Sequence, residues 1–174
     1  MNIFVTNECP VQSAVEHNDI HCRKMLMESC ALLSTAHYVL DKQIVGMKPT
    51  HIQHPSAVWA RKTSGNYKWL YQHYVALCTE YLYRTGKEHA SSRFINELSR
   101  LPSNILHGER TFFAKAMPDE HKAIPNAVLA YQSYLNSKFV DWQTRTDKRQ
   151  MPVVWTKRPV PAWVNVKNIR GDNT

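Results

Sequence analysis

Placed at about 100° per residue on a helix, His21, Lys24 and Glu28 fall within roughly 60° of one another. Their face continues into the small residues Ala31 and Thr35. A carboxylate beside an ammonium and an imidazole can act as general acid or base, because neighbouring positive charge and partial burial move its pKa in opposite directions. The plainer reading is an exposed Lys24/Glu28 pair at i, i+4, worth roughly 0.2–0.5 kcal/mol. A second stripe, Asn66, Trp69, His73, Glu80 and Arg84, shares one side of another helical segment, opposite its apolar face. Two such faces would enclose a polar cleft, with Trp69 stacking a base while the polar groups read or attack it. The alternative is that Trp69 extends the core and His73 satisfies a local hydrogen bond.

Two basic aromatic segments supply candidate contacts to nucleic acid. His54 to Asn66 contains Trp59, the cations Arg61 and Lys62, three small polar donors and the start of a helix, a combination suited to phosphate. Trp155-Thr-Lys157-Arg158-Pro-Val-Pro-Ala-Trp163 alternates cations with indoles and could follow a groove or strand by charge and stacking. Against this stands the reading in which both indoles pin the tail to the core. His51 and His54, with His21 or His73, are the only grouping that resembles a metal site, and no H-E-x-x-H or Cys/His pattern accompanies them, so no metal is expected. Neither a P-loop nor G-x-G-x-x-G is present, so no nucleotide cofactor is expected either.

These residues need elements to position them. Met25, Leu26, Cys30, Leu32, Leu33, Ala36 and Leu40 recur at helical spacing and predict a helix over His21–Leu40, after a short capped segment around Pro10–Glu16. Gly46, Pro49 and Pro55 predict a loop over Asp41–Gly65, long enough to be functional. Leu70, Tyr74, Leu77 and Tyr81 predict a helix over Asn66–Thr85, capped by Ser64 or Asn66 and stopped at Gly86. A short helix over Ser92–Arg100 and a third long one from Pro125 to about Thr144 follow, the latter on Val128, Tyr131, Leu135, Phe139 and Trp142. Met151–Thr174, broken by proline, reads as an extended basic aromatic tail over the helices. The expected fold is mainly α: one compact helical domain over residues 1–174, with three long helices, short helices and that tail.

Composition agrees with a globular chain of one core, 43% apolar and 21% charged in 174 residues. No segment approaches the roughly 18 apolar residues that span a bilayer. The N-terminus lacks the basic start and apolar run of a secretory signal, so the cytoplasm, or a host's cytoplasm for a viral protein, is expected. Cys9, Cys22, Cys30 and Cys78 show no C-x-x-C spacing and are expected to be reduced, buried and inert. Twenty-two Lys and Arg against fourteen Asp and Glu give a formal charge of +8, a balance that favours a polyanion such as duplex DNA over mere solubility charge.

The order of these pieces resembles the bacteriophage pyrimidine-dimer DNA glycosylases, often called endonuclease V, and their small bacterial relatives. The first helix of that family carries a His followed seven residues later by the catalytic Glu, the spacing of His21 and Glu28. His-Pro before a Trp, a helix with a second His and a Glu, and an Arg-Gly ending have similar counterparts in His54-Pro55, Trp59, His73, Glu80 and Arg84-Thr-Gly86. An Arg-Pro-x-Trp-like segment near the family's C-terminus is similar to Arg158-Pro159 with Trp163. The resemblance covers about residues 17 to 90 plus the tail; the whole chain also looks like a group of small phage proteins of no assigned activity that open Met-Asn-Ile-Phe-Val.

What the resemblance implies is a monomeric enzyme of DNA repair that needs no cofactor. A flipped, damaged or modified pyrimidine nucleotide would be attacked at C1′ by an amine, giving a Schiff base and releasing the base, with or without strand cleavage. Glu28 would handle the proton. The amine would be the N-terminal one at Met1 or, less conventionally, Lys24, with His21 nearby. His54, Trp59, Arg61, Lys62, Asn66, Trp69, His73, Arg84, Lys157, Arg158 and Trp163 would hold the DNA. Met27 and Ala31 stand where the family has arginines, which implies different substrate recognition. Asn2 is a poor context for removing Met1. The rival expectations are a DNA-binding protein without chemistry and an enzyme that modifies a base without cleaving the strand.

Overall fold

A computed structural model describes residues 1–148 and 150–165. Its helices are α1 (Pro10–Glu16), α2 (Asp19–Asp41), α3 (Pro55–Ala60), α4 (Ser64–Thr85), a 3₁₀ turn at Ala90–Phe94 running into α5 (Ile95–Leu98), α6 (Asp119–Lys122) and α7 (Ala127–Thr144). Among the described residues there is no β-strand, and no helix is long and apolar enough to cross a membrane. The fold is mainly α, and the three long helices are those expected from periodicity.

Local chemistry explains their limits. Asn18 opens α2 by accepting the His21 N–H at 2.8 Å, and Lys42 closes it in the left-handed region at φ 58°. Thr63, not Ser64 or Asn66, caps α4, its side chain accepting from Asn66 N at 3.2 Å. Gly86 ends that helix at φ 70°, a conformation that costs glycine no Cβ clash. Asn126 caps α7. The loop expected across 41–65 contains a helix, α3, because Pro55 suits a first turn and the His54 ring accepts the Ser56 N–H.

α4 packs against both α2 and α1. Met25, Leu26, Leu32, Leu33 and Ala36 of α2 meet Tyr67, Leu70, Tyr74 and Leu77 of α4, all within 1% of full burial. Ala130, Tyr131, Leu135, Phe139 and Trp142 of α7 complete one core cluster with Ile3, Phe4 and Val5 of the N-terminal segment. Residues 151–165 do lie extended over the helices: Asp19 N donates to Val154 O, and Trp155 Nε1 donates to Glu16 O. The remainder of the expected tail, 166–174, lies outside the described residues.

Gly65 is required by a close approach. A Cβ there would stand 2.4 Å from Arg110 N and 2.5 Å from Glu109 C, so the loop of residues 106–111 crosses the first turn of α4 only over a glycine. That loop is held by Ser64 N to Leu106 O, Gly65 N to Gly108 O and Thr63 Oγ1 to Glu109 O.

Candidate functional site

Glu28 is 7% exposed and faces the start of the chain rather than Lys24. The Asn2 backbone N–H donates to Glu28 Oε2 at 2.5 Å, and the Met1 α-ammonium stands 4.0 Å from the same oxygen. A buried Asn2 fixes this meeting. Its Nδ2 donates to Ala116 O at 2.6 Å, and its Oδ1 accepts from Ile3 N at 2.8 Å and lies 2.9 Å from the Tyr131 hydroxyl. The Met1 side chain packs on the core and is only 6% exposed, so what this partly open residue leaves to water is its main chain, the amine end.

An imidazole and a lysine lie within electrostatic reach of the pair. His54 is held below its ordinary pKa by burial and then by the charges of the N-terminal ammonium and His51, which puts the His54 ring within electrostatic reach of the amine. With Nδ1 accepting from Ser56 N, a neutral His54 carries its proton on Nε2. Lys138 is lowered by burial and by Lys24, and raised less strongly by Asp141 and Glu28. The arrangement is an amine beside a carboxylate, with Lys138 within electrostatic reach of the carboxylate. Such a pair can pass the ammonium proton to the carboxylate and free a nucleophile where anionic substrate is attracted.

No protein-family model, no curated protein and no solved structure matches the chain. Function therefore has to be argued from this site.

The other expected catalytic residues divide. Lys24 is exposed on α2, a turn before Glu28. His21 is not in the site: its ring lies among Phe4, Trp142 and Phe139 at 4.8, 4.9 and 5.7 Å, and both ring nitrogens lack a hydrogen-bond partner. Phe4 and α7 close over that face, so the stripe of three splits into a buried ring, an exposed ammonium and a carboxylate aimed at the N-terminus.

The second stripe is covered by α1, the N-terminal segment and the tail. Asn66 bonds Trp59 O and Thr111, Trp69 Nε1 donates to Glu8 O, and His73 Nδ1 lies 2.9 Å from Pro10 O. Trp69 stacks on His73 at 5.2 Å and not on an open face. Arg84 binds Glu80, Asp19 and the carbonyls of His17 and Val15. Burial pushes the Glu80 carboxyl up, but Arg158 and Arg84 outweigh it and hold the group below the usual carboxylate range. His17, His21 and His73 form a buried cluster, with ring centroids 5.5 Å apart for His17/His73 and 6.3 Å for His17/His21.

The basic segments are corrected in part. Trp155 is buried, Trp163 stacks on Phe139 and donates to Glu16 Oε2, and Arg158 forks onto both Glu80 oxygens at 2.9 and 2.8 Å. Lys157 Nζ donates to Tyr83 O. This part of the tail is an anchor, not a free binding strip. Trp59 is buried against Trp69 and Phe113, and Arg61 Nη1 binds Ile52 O; Lys62 stays exposed. The first N–H groups of α4, read as phosphate donors, are taken by Leu106 O, Gly108 O and Thr63 Oγ1. Cys9 is exposed, unlike the other three thiols; burial raises the Cys22 thiol to about 12 and the Cys30 thiol to about 11. Among the described residues no three His, Cys, Asp or Glu groups converge as metal ligands.

Sequence reasoning missed Asn2, Tyr131 as a polar residue, Lys138, and the segment from Thr111 to Met117. Nothing in the pattern of Asn2 announces a pin. Tyr131 reads as one more apolar position of α7, and its hydroxyl finds Asn2 and Ala114 only after the chain start is threaded between α2 and α7.

Proposed function

We propose that this chain is a DNA glycosylase-like enzyme that attacks C1′ of a flipped, damaged or modified pyrimidine nucleotide with its N-terminal amine, Glu28 acting as proton handler. The observation that carries the reading is the buried carboxylate of Glu28 turned to the chain's own start, 4.0 Å from the α-amine and 2.5 Å from the next N–H. A carboxylate used only for surface pairing would stay with Lys24 in water. The +8 charge supports a polyanionic substrate, as does Lys138 within electrostatic reach of the carboxylate. The resemblance to pyrimidine-dimer glycosylases supports the same pairing of an amine with this glutamate.

In the proposed reaction Glu28 takes a proton from the ammonium. The amine lone pair forms the N–C1′ bond as the bond from C1′ to the base breaks, and the base leaves with that electron pair and picks up a proton. The nitrogen then loses a proton, its lone pair forms the C1′=N bond as the C1′–O4′ bond breaks, and O4′ leaves with that electron pair and takes the proton held by Glu28, giving the Schiff base. No cofactor is called for.

The test is borohydride trapping on duplex oligonucleotides bearing damaged or hypermodified pyrimidines or an abasic site. A covalent product mapped by mass spectrometry to the Met1 peptide is expected, abolished by acetylating the α-amine. An adduct on Lys24 or Lys138 reassigns the nucleophile. Tight binding with no adduct on any substrate overturns the catalytic reading in favour of a DNA-binding protein without chemistry.

A further inference from the structure

We propose that Tyr131 is a positioning residue: its hydroxyl grips the side chain of Asn2 and so sets the Met1 α-amine against Glu28. The inference rests on reading that amine as the nucleophile. Three segments meet at the hydroxyl. Tyr131 Oη donates to Asn2 Oδ1 at 2.9 Å, Asn2 Nδ2 donates to Ala116 O at 2.6 Å, and Ala116 N donates back to Tyr131 Oη at 3.2 Å. These bonds close a ring through α7, the strip from Ala114 to Ala116 and the start of the chain. Ile3 N also donates to Asn2 Oδ1, at 2.8 Å, so the donors on one end of the amide and the carbonyl at the other fix which end is oxygen. Asn2 is buried and Tyr131 fully so.

The core does not ask for a hydroxyl here. Tyr131 stands among the apolar positions of α7, with Ala130, Leu135 and Phe139, where a phenylalanine would fill the space with no polar atom to desolvate. Burial pushes the phenol well above its ordinary pKa, against the opposing Ala116 N–H, so it remains a neutral donor and holds Asn2 without exchanging a proton. Ala114 O, at 2.8 Å, shares that proton.

The grip reaches the amine through very little chain. The Asn2 nitrogen is three covalent bonds from the α-amine and donates to Glu28 Oε2 at 2.5 Å, while the packed Met1 side chain restricts the amine further. On the other side Phe4 turns the chain at φ 53°, a left-handed conformation that a bulky residue keeps only where its surroundings hold it. Its ring lies 4.8 Å from His21 and 6.2 Å from Tyr131. Asn2 is thus clamped on both sides, and a reacting group misplaced by about 1 Å loses on the order of 100-fold in rate.

The test uses the full chain with Tyr131→Phe, which removes the hydroxyl alone, and reads main-chain amide exchange by NMR. Protection of the Asn2 N–H should fall at least about tenfold, while the amides of Leu26, Leu33 and Leu70 in the core keep theirs. Single-turnover borohydride trapping on a saturating abasic duplex should slow about 10- to 100-fold. Duplex affinity should not change, since a fully buried hydroxyl offers DNA no contact. Asn2→Leu, close to the amide in size, should act the same way from the other partner, and the double variant should be no slower than the slower single one. An unchanged trapping rate, or Asn2 protection that survives the loss of the hydroxyl, overturns the positioning role and leaves the glycosylase reading standing. Protection lost throughout α2 and α7 marks a general prop of the fold and overturns it as well, as do effects that multiply in the double variant. If no duplex traps the wild-type chain, the amine chemistry falls, and selective loss of Asn2 protection still upholds the grip.

Discussion

Lowering the pH from 7 to 5 should destabilise the fold through its buried histidines. Burial, then the charges of Lys138 and Lys24, lowers the pKa of His21 from 6.5 to about 3. Burial lowers His73 to about 4, against the opposing pull of the Pro10 carbonyl. His17 is also held well below 6.5, by burial and then by His73, His21 and Arg84. The unfolded chain takes up these protons below about pH 6.5 and the folded chain only near 3 to 4, so between those limits the unfolded state binds more protons and stability falls as pH falls. Integrated from pH 7 to 5, each imidazole costs about 2 kcal/mol, so His21 and His73 together cost about 4 kcal/mol, a large share of a typical 5–15 kcal/mol. His17 adds to the same sign. Glu80, held below the usual carboxylate range, titrates beneath this window, which leaves pH 5–7 to the imidazoles.

Urea unfolding followed by circular dichroism at half-unit pH steps measures the effect. His21→Phe isolates one member, since the ring already lies among Phe4, Phe139 and Trp142. The variant should match or exceed wild-type stability at pH 7 and be less pH-sensitive by about one proton, or about 2 kcal/mol at pH 5. Constant stability between pH 7 and 5, or an unchanged slope in the variant, would refute the reasoning.

Four further outcomes are expected. Glu28→Gln should cut turnover by orders of magnitude while DNA affinity holds or rises, because a negative charge is removed beside phosphate; single-turnover kinetics and a binding titration separate the two. Gly65→Ala should destabilise by about 1–3 kcal/mol in thermal unfolding, because its Cβ meets backbone rather than a flexible side chain. Arg84→Ala should cost about 1–3 kcal/mol by leaving the His17 and Val15 carbonyls without their donor, Glu80 keeping Arg158, whereas Lys62→Ala should leave the melting temperature unchanged. With about four to six phosphate contacts, the log-log salt dependence of duplex binding should have a slope of about −4 to −5, and a flat response would count against DNA as the partner.

The helices were legible because their signals are local. Leu26, Leu33, Leu70 and Leu77 repeat at the helical period, and Gly86 marks an end whatever the rest of the chain does. Of the site, Glu28 is legible from its spacing and the Met1 amine from the resemblance, while what covers the polar stripes is not, for one physical reason. A polar stripe on a helix has the same spacing whether it faces water or is covered by another segment. α1 and the tail cover the stripe from Asn66 to Arg84 with carbonyls of Pro10, Val15 and His17, and the sequence spacing of these residues contains nothing of that. The alternation of Trp155 and Arg158 suggests a binding strip, yet alternation cannot distinguish a cation in solvent from one opposite Glu80.

Of the two main-chain nitrogens near Glu28, only that of Met1 is an amine while Met1 is in place. The side chain of Met1 is packed, leaving its main chain as the open part, so retention preserves core contacts and still presents the amine. At 4.0 Å from Oε2 this amine is close enough for a short proton transfer through modest movement, whereas the Asn2 nitrogen at 2.5 Å is already bonded to the carboxylate. Intact-mass measurement should therefore find Met1 present in the active protein, and trapping should add its mass to the Met1 peptide. Enzymatic removal of Met1 should lower stability by about 1–3 kcal/mol through the lost packing. Full activity with an adduct on Asn2 would instead show that the amine bonded directly to Glu28 is the working one.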